Sequence, residues 1–252
     1  MPERQLRVLA LYPDLMNIYA DRGNLMLLER RCAWRGIGFS LLGAGIGDPL
    51  DAHAADLYYI GGGQDRDQRL CALDLAQRKA DALEEIAAGE AVVLAVCGGY
   101  QLLGHSYQLG GETLPGVGLL DCFTVRGDDG AENGSGGRLI GNVAIEVELE
   151  GMAESRVLAG FENHGGRTFL GAAAEPLGRV IRGHGNNGQD GLEGTRCGRV
   201  IGTYLHGPLL PKNVWFADWL IKTALGLEDE LAPLDDALEQ LAHEEARRAA
   251  GV

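Results

Sequence analysis

Three things are scarce in this chain of 252 residues, and each scarcity closes off a class of protein. Cysteines do not pair in pattern: Cys32, Cys71, Cys97, Cys122 and Cys197 form an odd number at wide spacings, with no C-x-x-C. That argues against a disulfide framework and against a structural zinc site, and it fits free thiols in a reducing compartment. Basic residues are outnumbered: 22 Lys and Arg stand against 36 Asp and Glu, a net charge of −14. No Lys/Arg-rich block is present, so the basic face that nucleic acid requires is missing. Long apolar runs are also absent. No stretch approaches the ~18–20 residues of a membrane-spanning helix. The opening "MPERQLRVLALYPDLM" is interrupted by Pro13 and Asp14 too early for a secretory leader. The expectation is a cytoplasmic chain with no nucleic-acid partner and no transmembrane segment. A phosphate loop is excluded as well, because no G-x-x-x-x-G-K-[ST] occurs.

Glycine, by contrast, is abundant: 39 residues, about twice the usual share. Neither collagen periodicity nor a Pro/Ser tract accompanies it, so the glycines mark tight turns and close backbone approaches. "LRVLALYP" (6–13), "GFSLLGAG" (38–45), "DLYYIGGGQD" (56–65) and "AVVLAV" (91–96) have the character of strands, the third running into a glycine loop. Residues 22–36 and 67–88 carry helical spacing. This β-α-β order predicts a mainly parallel sheet flanked by helices. From about residue 116 the texture becomes antiparallel. Strands are expected over 118–127 and 138–149, with a loop at 128–137 between them. Strand-plus-turn segments are expected over 160–170 and 198–210, a turn-rich connection over 183–194, and a helix over 213–225. The expected division is one domain over 1–226 and an acidic, helical C-terminal appendage over 227–252, whose last segment starts at Pro233.

In "AVVLAVCGGYQLLGH" (91–105), Cys97 ends an apolar strand and two glycines follow. Ligands and catalytic groups of wound α/β sheets gather outside the carboxyl ends of the strands. A nucleophile on a sharp strand-to-helix turn projects into that space, and the N–H of the next residue, Gly98, points the same way and suits an oxyanion. The start of the following helix favours a thiolate and is expected to lower the thiol pKa. The competing reading is a buried structural cysteine, since free cysteine is among the most buried residue types. A catalytic cysteine needs a histidine distant in sequence. Of His53, His105, His164, His184, His206 and His243, His206 stands out: it ends "RVIGTYLH", a second apolar run, and is followed at once by Gly207 and Pro208. The Gly61–Gly63 loop after the third strand offers a further backbone N–H to a bound carbonyl oxygen.

With Cys97-Gly98-Gly99-Tyr100-Gln101, the Gly61–Gly63 loop and His206 on one line, the chain resembles class I glutamine amidotransferases, whose C-x-G-x-Q turn Cys97, Gly99 and Gln101 match. Leu205-His206-Gly207 is similar to the histidine context of the cobyric acid synthase-like branch. The blocks "YPDLMNIYADRGN", "YIGGGQD", "CGGYQLLG", "RLIGN", "FENHGGRT", "GNNGQDGLEG" and "GTYLHGPLLPKN" resemble the glutaminase subunits of lipid II isoglutaminyl synthases over about four-fifths of the chain.

The resemblance implies a flavodoxin-like amidotransferase fold and a set of roles. Cys97 attacks the glutamine side-chain amide, and His206 moves the protons. The N–H groups of Gly98 and of Gly61 and Gly62 in the loop hold the oxyanion. Gln101 and Gly62 position the substrate, and Arg138 in "RLIGN" clamps its α-carboxylate, a geometry that suits a guanidinium fork. Asn163 and His164 are candidates for the pocket wall. Many members complete a triad with glutamate two residues after the histidine. Here Pro208 stands there, so the orienting acid lies elsewhere in the chain, with Asp14 and Asp21 as candidates, or on a partner, or is dispensed with.

No metal or cofactor is expected on this chain. The resemblance implies a heterodimer with a Mur-ligase-like synthetase that carries ATP and Mg and acts at the inner face of the membrane. Ammonia from L-glutamine would convert the D-glutamate of lipid II to D-isoglutamine in peptidoglycan synthesis. The alternatives are an ammonia donor for another amidation, such as that of cobyrinate, and a non-catalytic regulatory module on the same fold.

Overall fold

The computed structural model describes residues 4–18, 21–109, 111–127 and 137–252. Apart from Gly137, the loop expected over 128–137 lies outside them. The first half runs β1 (Gln5–Leu11), α1 (Arg22–Trp34), β2 (Gly38–Ala44), β3 (Leu57–Ile60), α2 (Asp65–Asp74), α3 (Ala80–Ala88), β4 (Val92–Val96) and α4 (Gly98–Leu103). It continues through β5 (Ser106–Leu109), β6 (Glu112–Pro115), β7 (Cys122–Arg126), β8 (Leu139–Val147), β9 (Arg156–His164) and β10 (Gly166–Leu170). The chain ends with β11 (Gly178–Arg182), β12 (Leu192–Glu193), β13 (Thr195–Cys197), β14 (Val200–Thr203), α5 (Val214–Ala224) and α6 (Ala237–Ala250).

The main sheet has the order β13-β14-β4-β3-β1-β2, and only β13 is antiparallel to its neighbour. Every residue of β3, β4 and β14 is buried, as strands covered on both faces must be. Helix α1 packs on β2, and α3, α4 and α5 pack on β4. The second half supplies two four-stranded sheets, β10-β7-β5-β6 and β12-β11-β8-β9, antiparallel apart from the β5–β7 pair. The mixed α/β architecture with a parallel sheet and an antiparallel extension is therefore the one the sequence predicts.

Boundaries differ in several places. The strand expected from residue 118 starts at Cys122. The helix expected over 67–88 is two helices joined by a wider, π-type turn at Leu75–Lys79, which brings Lys79 onto the buried Asp74 carboxylate. The last helix begins at Ala237, four residues beyond Pro233. It lies against β8 and β9, with the Asn142 amide donating to Ala249 O (3.0 Å). Arg31 of α1, fully buried, bridges Asp218 of α5 and Asp236 just before α6.

Candidate active site

The parallel pairing of β4 with β14 decides where the two principal side chains go. Val96 is in register with Thr203, so both strands end at the same edge of the sheet. Cys97 follows β4 directly, and His206 follows β14 by three residues. The strand expected to reach His206 stops at Thr203 because the next peptide is drawn aside: Tyr204 N–H donates to the buried Glu193 carboxylate (2.6 Å), which also accepts the Thr203 hydroxyl (3.0 Å). His206 is instead held by reciprocal backbone bonds with Phe161 of β9 (2.9 and 3.1 Å).

Cys97 has φ 52° and ψ −106°. A non-glycine residue in such a conformation costs on the order of 1–3 kcal/mol, sustained only where the surroundings impose it. They do: Cys97 N–H donates to Thr203 O (2.8 Å), Gln101 N–H to Cys97 O (3.1 Å), and Gly99 N–H to Gly61 O (3.1 Å). The last bond ties the turn to the glycine loop. A Cβ on Gly99 would stand 2.6 Å from Ile60 O, so glycine is required there by space. A Cβ on Gly98 would come 3.1 Å from Gly63 N, which places the Gly63 amide beside the turn.

The loop itself is tightly held. Gly62 accepts from Ile18 N–H (3.2 Å), and its own N–H, expected to face an oxyanion, is taken by Asp21 Oδ2 (2.7 Å). Gly98 N–H is directed to the Cys97 sulfur. Gly63 N–H has no acceptor among the described residues. Asp21 is fully buried next to Cys97, whereas Asp14 is exposed.

Around this turn lies a ring of polar side chains. Arg138 donates through Nε and Nη2 to the Asn163 side chain (2.8 Å) and carbonyl (2.7 Å), and its charge reaches Cys97, His164 and His206. Gln101 Nε2 donates to the Tyr204 hydroxyl (3.0 Å) while its carbonyl accepts from Gln68 (2.6 Å). The His164 ring stacks on Tyr204 at 3.6 Å and its Nδ1 donates to Gly166 O (2.9 Å). Cys97, His206, Gly61, Gly62, Gly98, Gln101, Arg138, Asn163 and His164 thus lie around one end of the main sheet. Glu193, Tyr204 and Asp21 complete the surroundings.

Burial governs the electrostatics. It raises the Cys97 thiol to about 12, with Asp21 adding to the rise and the Gly98 N–H and Arg138 opposing it. Burial lowers His206 to about 4, with Arg138 and Lys212 acting in the same direction. The depressed thiol expected from the helix start is therefore not found in the free chain, because loss of solvent outweighs one N–H group and a distant guanidinium. Burial also raises Asp21 to about 7 and Glu193 to about 8. All five cysteines are free thiols; four are buried and Cys197 is exposed. Among the described residues no cluster of His, Cys, Asp or Glu is arranged to hold a metal ion, and no helix is long and apolar enough to cross a membrane.

Residues 7–214 match the CobB/CobQ-like glutamine amidotransferase domain. The chain is 36% identical over 246 residues to the lipid II isoglutaminyl synthase (glutamine-hydrolyzing) subunit GatD of Streptococcus pneumoniae, covering 96% of this chain and 90% of that protein. The corresponding subunit of Staphylococcus aureus is 35% identical, with 93% and 92% covered. A cobyric acid synthase of Pelotomaculum thermopropionicum is 32% identical over 81% of this chain but only 38% of its own length. PurLQS of Thermotoga maritima shares the fold, with a TM-score of 0.58 at 18% identity, covering 96% of this chain and 98% of that one. A cysteine turn, a glycine loop and a histidine at one sheet edge, within a match spanning most of the molecule, lead to one conclusion: this chain belongs to the CobB/CobQ-like glutamine amidotransferase family.

Proposed function

We propose that this chain is the glutamine-hydrolysing subunit of a lipid II isoglutaminyl synthase. The observation that carries the reading is the left-handed Cys97 turn, braced by Thr203 and Gly61 at the edge where His206 also emerges. The near full-length likeness to the two GatD subunits supports the choice of reaction. Cys97 Sγ attacks the side-chain amide carbon of L-glutamine, and its proton passes to His206. The N–H groups of Gly98 and of Gly63 take the oxyanion, Gly63 standing in for the expected Gly62, whose N–H is committed to Asp21. His206 then gives the proton to the departing ammonia. It next takes a proton from the water that cleaves the glutamyl thioester, so that glutamine and water become glutamate and ammonia. Arg138, aimed by Asn163, takes the α-carboxylate, and Gln101 lines the site through Tyr204.

Burial thus favours the neutral thiol at Cys97 and the neutral imidazole at His206 before substrate arrives. Substrate and a synthetase partner would bring the ion pair into being. The partner is a Mur-ligase-like chain that holds ATP and Mg and uses the ammonia to amidate the D-glutamate of lipid II; this chain needs no cofactor of its own. The test is glutamate release from glutamine by Cys97→Ala in the reconstituted pair. Loss of at least a thousandfold is expected, and activity retained within tenfold would overturn the assignment.

A further inference from the structure

An aspartate immediately before a helix ordinarily accepts an N–H of that helix. Asp21 stands immediately before α1 and makes no such bond; the first free amide, Arg22 N–H, donates to Asn17 Oδ1 instead (2.9 Å). The Asp21 carboxylate is turned across the chain to Gly62 N–H, 41 residues away, at 2.7 Å. The segment that carries it also holds the following peptide, because Ile18 N–H donates to Gly62 O (3.2 Å), which shares a peptide plane with Gly63 N–H, and Asp21 N–H donates in turn to Ile18 O (3.1 Å). With both polar groups of Gly62 committed, the orientation of the next amide, Gly63 N–H, is set as well. Crowding confirms how close the fit is: a Cβ on Gly62 would lie 3.0 Å from Ile18, 3.2 Å from Asp21 Oδ2 and 3.4 Å from Cys97 Cβ. Asp21 is fully buried, and its second oxygen, Oδ1, has no hydrogen-bond partner among the described residues. A buried carboxylate oxygen left unsatisfied is costly and persists only where something else holds the group in place. Neither helix capping nor an ion pair accounts for it.

We propose that Asp21 is the positioning residue of the glycine loop: its carboxylate fixes the Gly61–Gly62 peptide, and this anchor, with the Ile18 bond to Gly62 O, sets the next peptide and its Gly63 N–H opposite the Cys97–Gly98 turn. This rests on the glutaminase reading for its consequence, though not for its geometry. Asp21 acts through the loop and touches no reacting atom, so its removal should lower kcat and spare KM, because an oxyanion donor matters only once charge develops on the substrate oxygen.

The experiment compares Asp21→Ala with Asp21→Asn, whose amide oxygen still accepts the Gly62 N–H. Two readouts are taken: glutamine hydrolysis by the chain with its synthetase partner, and the Gly62 amide resonance of the ¹⁵N-labelled chain. In the wild type the Gly62 proton should lie downfield, as an amide bonded to a carboxylate does. In Asp21→Ala it should move upfield, and kcat should fall tenfold to hundredfold with KM within threefold. Asp21→Asn should hold kcat within about threefold of wild type. An unshifted Gly62 proton in the wild type refutes the clamp without any variant, should Asp21→Ala not fold. So does an Asp21→Ala effect confined to KM, or an Asp21→Asn as damaged as Asp21→Ala. If the wild-type pair releases no glutamate while the Gly62 amide behaves as described, the glutaminase reading fails and the clamp stands.

Discussion

Replacing Gly99 by alanine tests whether the Cys97 turn is held as tightly as the geometry requires. The added methyl would meet Ile60 O at 2.6 Å, Ile60 Cγ2 at 2.7 Å and Gly61 O at 2.9 Å. Two of these are backbone oxygens at the end of β3, so no side-chain rotation relieves the contact. The turn and the strand end must part by about 0.6 Å, a displacement that close-packed interiors resist at about 1–3 kcal/mol. In a chain of this size that lowers Tm by roughly 2–4 °C for each kcal/mol. The same displacement stretches the Gly99–Gly61 bond that joins nucleophile and loop. Reacting groups moved by a fraction of an ångström to 1 Å lose about tenfold to hundredfold in rate. Differential scanning calorimetry and steady-state glutaminase assays read the two effects. Gly141→Ala is the control, because a Cβ there meets nothing within 4 Å and its φ is ordinary. A Gly99→Ala protein matching the Gly141→Ala control in both Tm and kcat would refute the account of the turn.

Arg138→Lys replaces a fork by a point charge and loses the paired bonds to Asn163, so KM for glutamine should rise about tenfold to hundredfold with kcat changed far less; an unchanged KM would remove Arg138 from the substrate site. Glu193, raised by burial from 4.5 to about 8, keeps in the fold a proton that the unfolded chain releases, so its stabilising contribution is full below about 4.5 and is lost as pH rises toward 8. Asp21 and Glu162 act in the same direction, and Glu193→Gln should therefore flatten, without abolishing, the fall of Tm between pH 5 and 8; a slope equal to that of the wild type would refute the assignment.

The parts of this molecule that the sequence announces are those set by neighbours along the chain. The apolar run 92–96, the cysteine after it and the glycines that follow define the turn locally, and steric need at Gly99 enforces it. His206 is legible as a residue near a strand end. Its actual support is not, since the bridge to Phe161 and the pull of Glu193 on Tyr204 come from remote strands. "GQDGLEG" has the composition of a turn, and nothing in that composition reveals that Glu193 is buried. Asp21 is visible as an acid in a patterned block, but its partner lies 41 residues on, and helix-start chemistry points its side chain elsewhere. The break at Leu75–Lys79 is hidden for a related reason: a helical pattern carries no sign that Lys79 must reach Asp74 in the interior. The thiol pKa illustrates the same limit, because it answers to enclosure, which belongs to the assembled fold.

The buried guanidinium of Arg31 ties the segment before α6 to α1. Arg31 sits on the helix that Asp21 precedes, and its two carboxylate partners are Asp218 and Asp236. Cutting the chain before Asp236 would spare every residue around Cys97 and still strip the buried Arg31 of one of its two carboxylate partners, on the helix that Asp21 precedes. Deletions that remove Asp236 should therefore be felt on α1, and that acid is a tie-point of the structure over and above its share of the net charge.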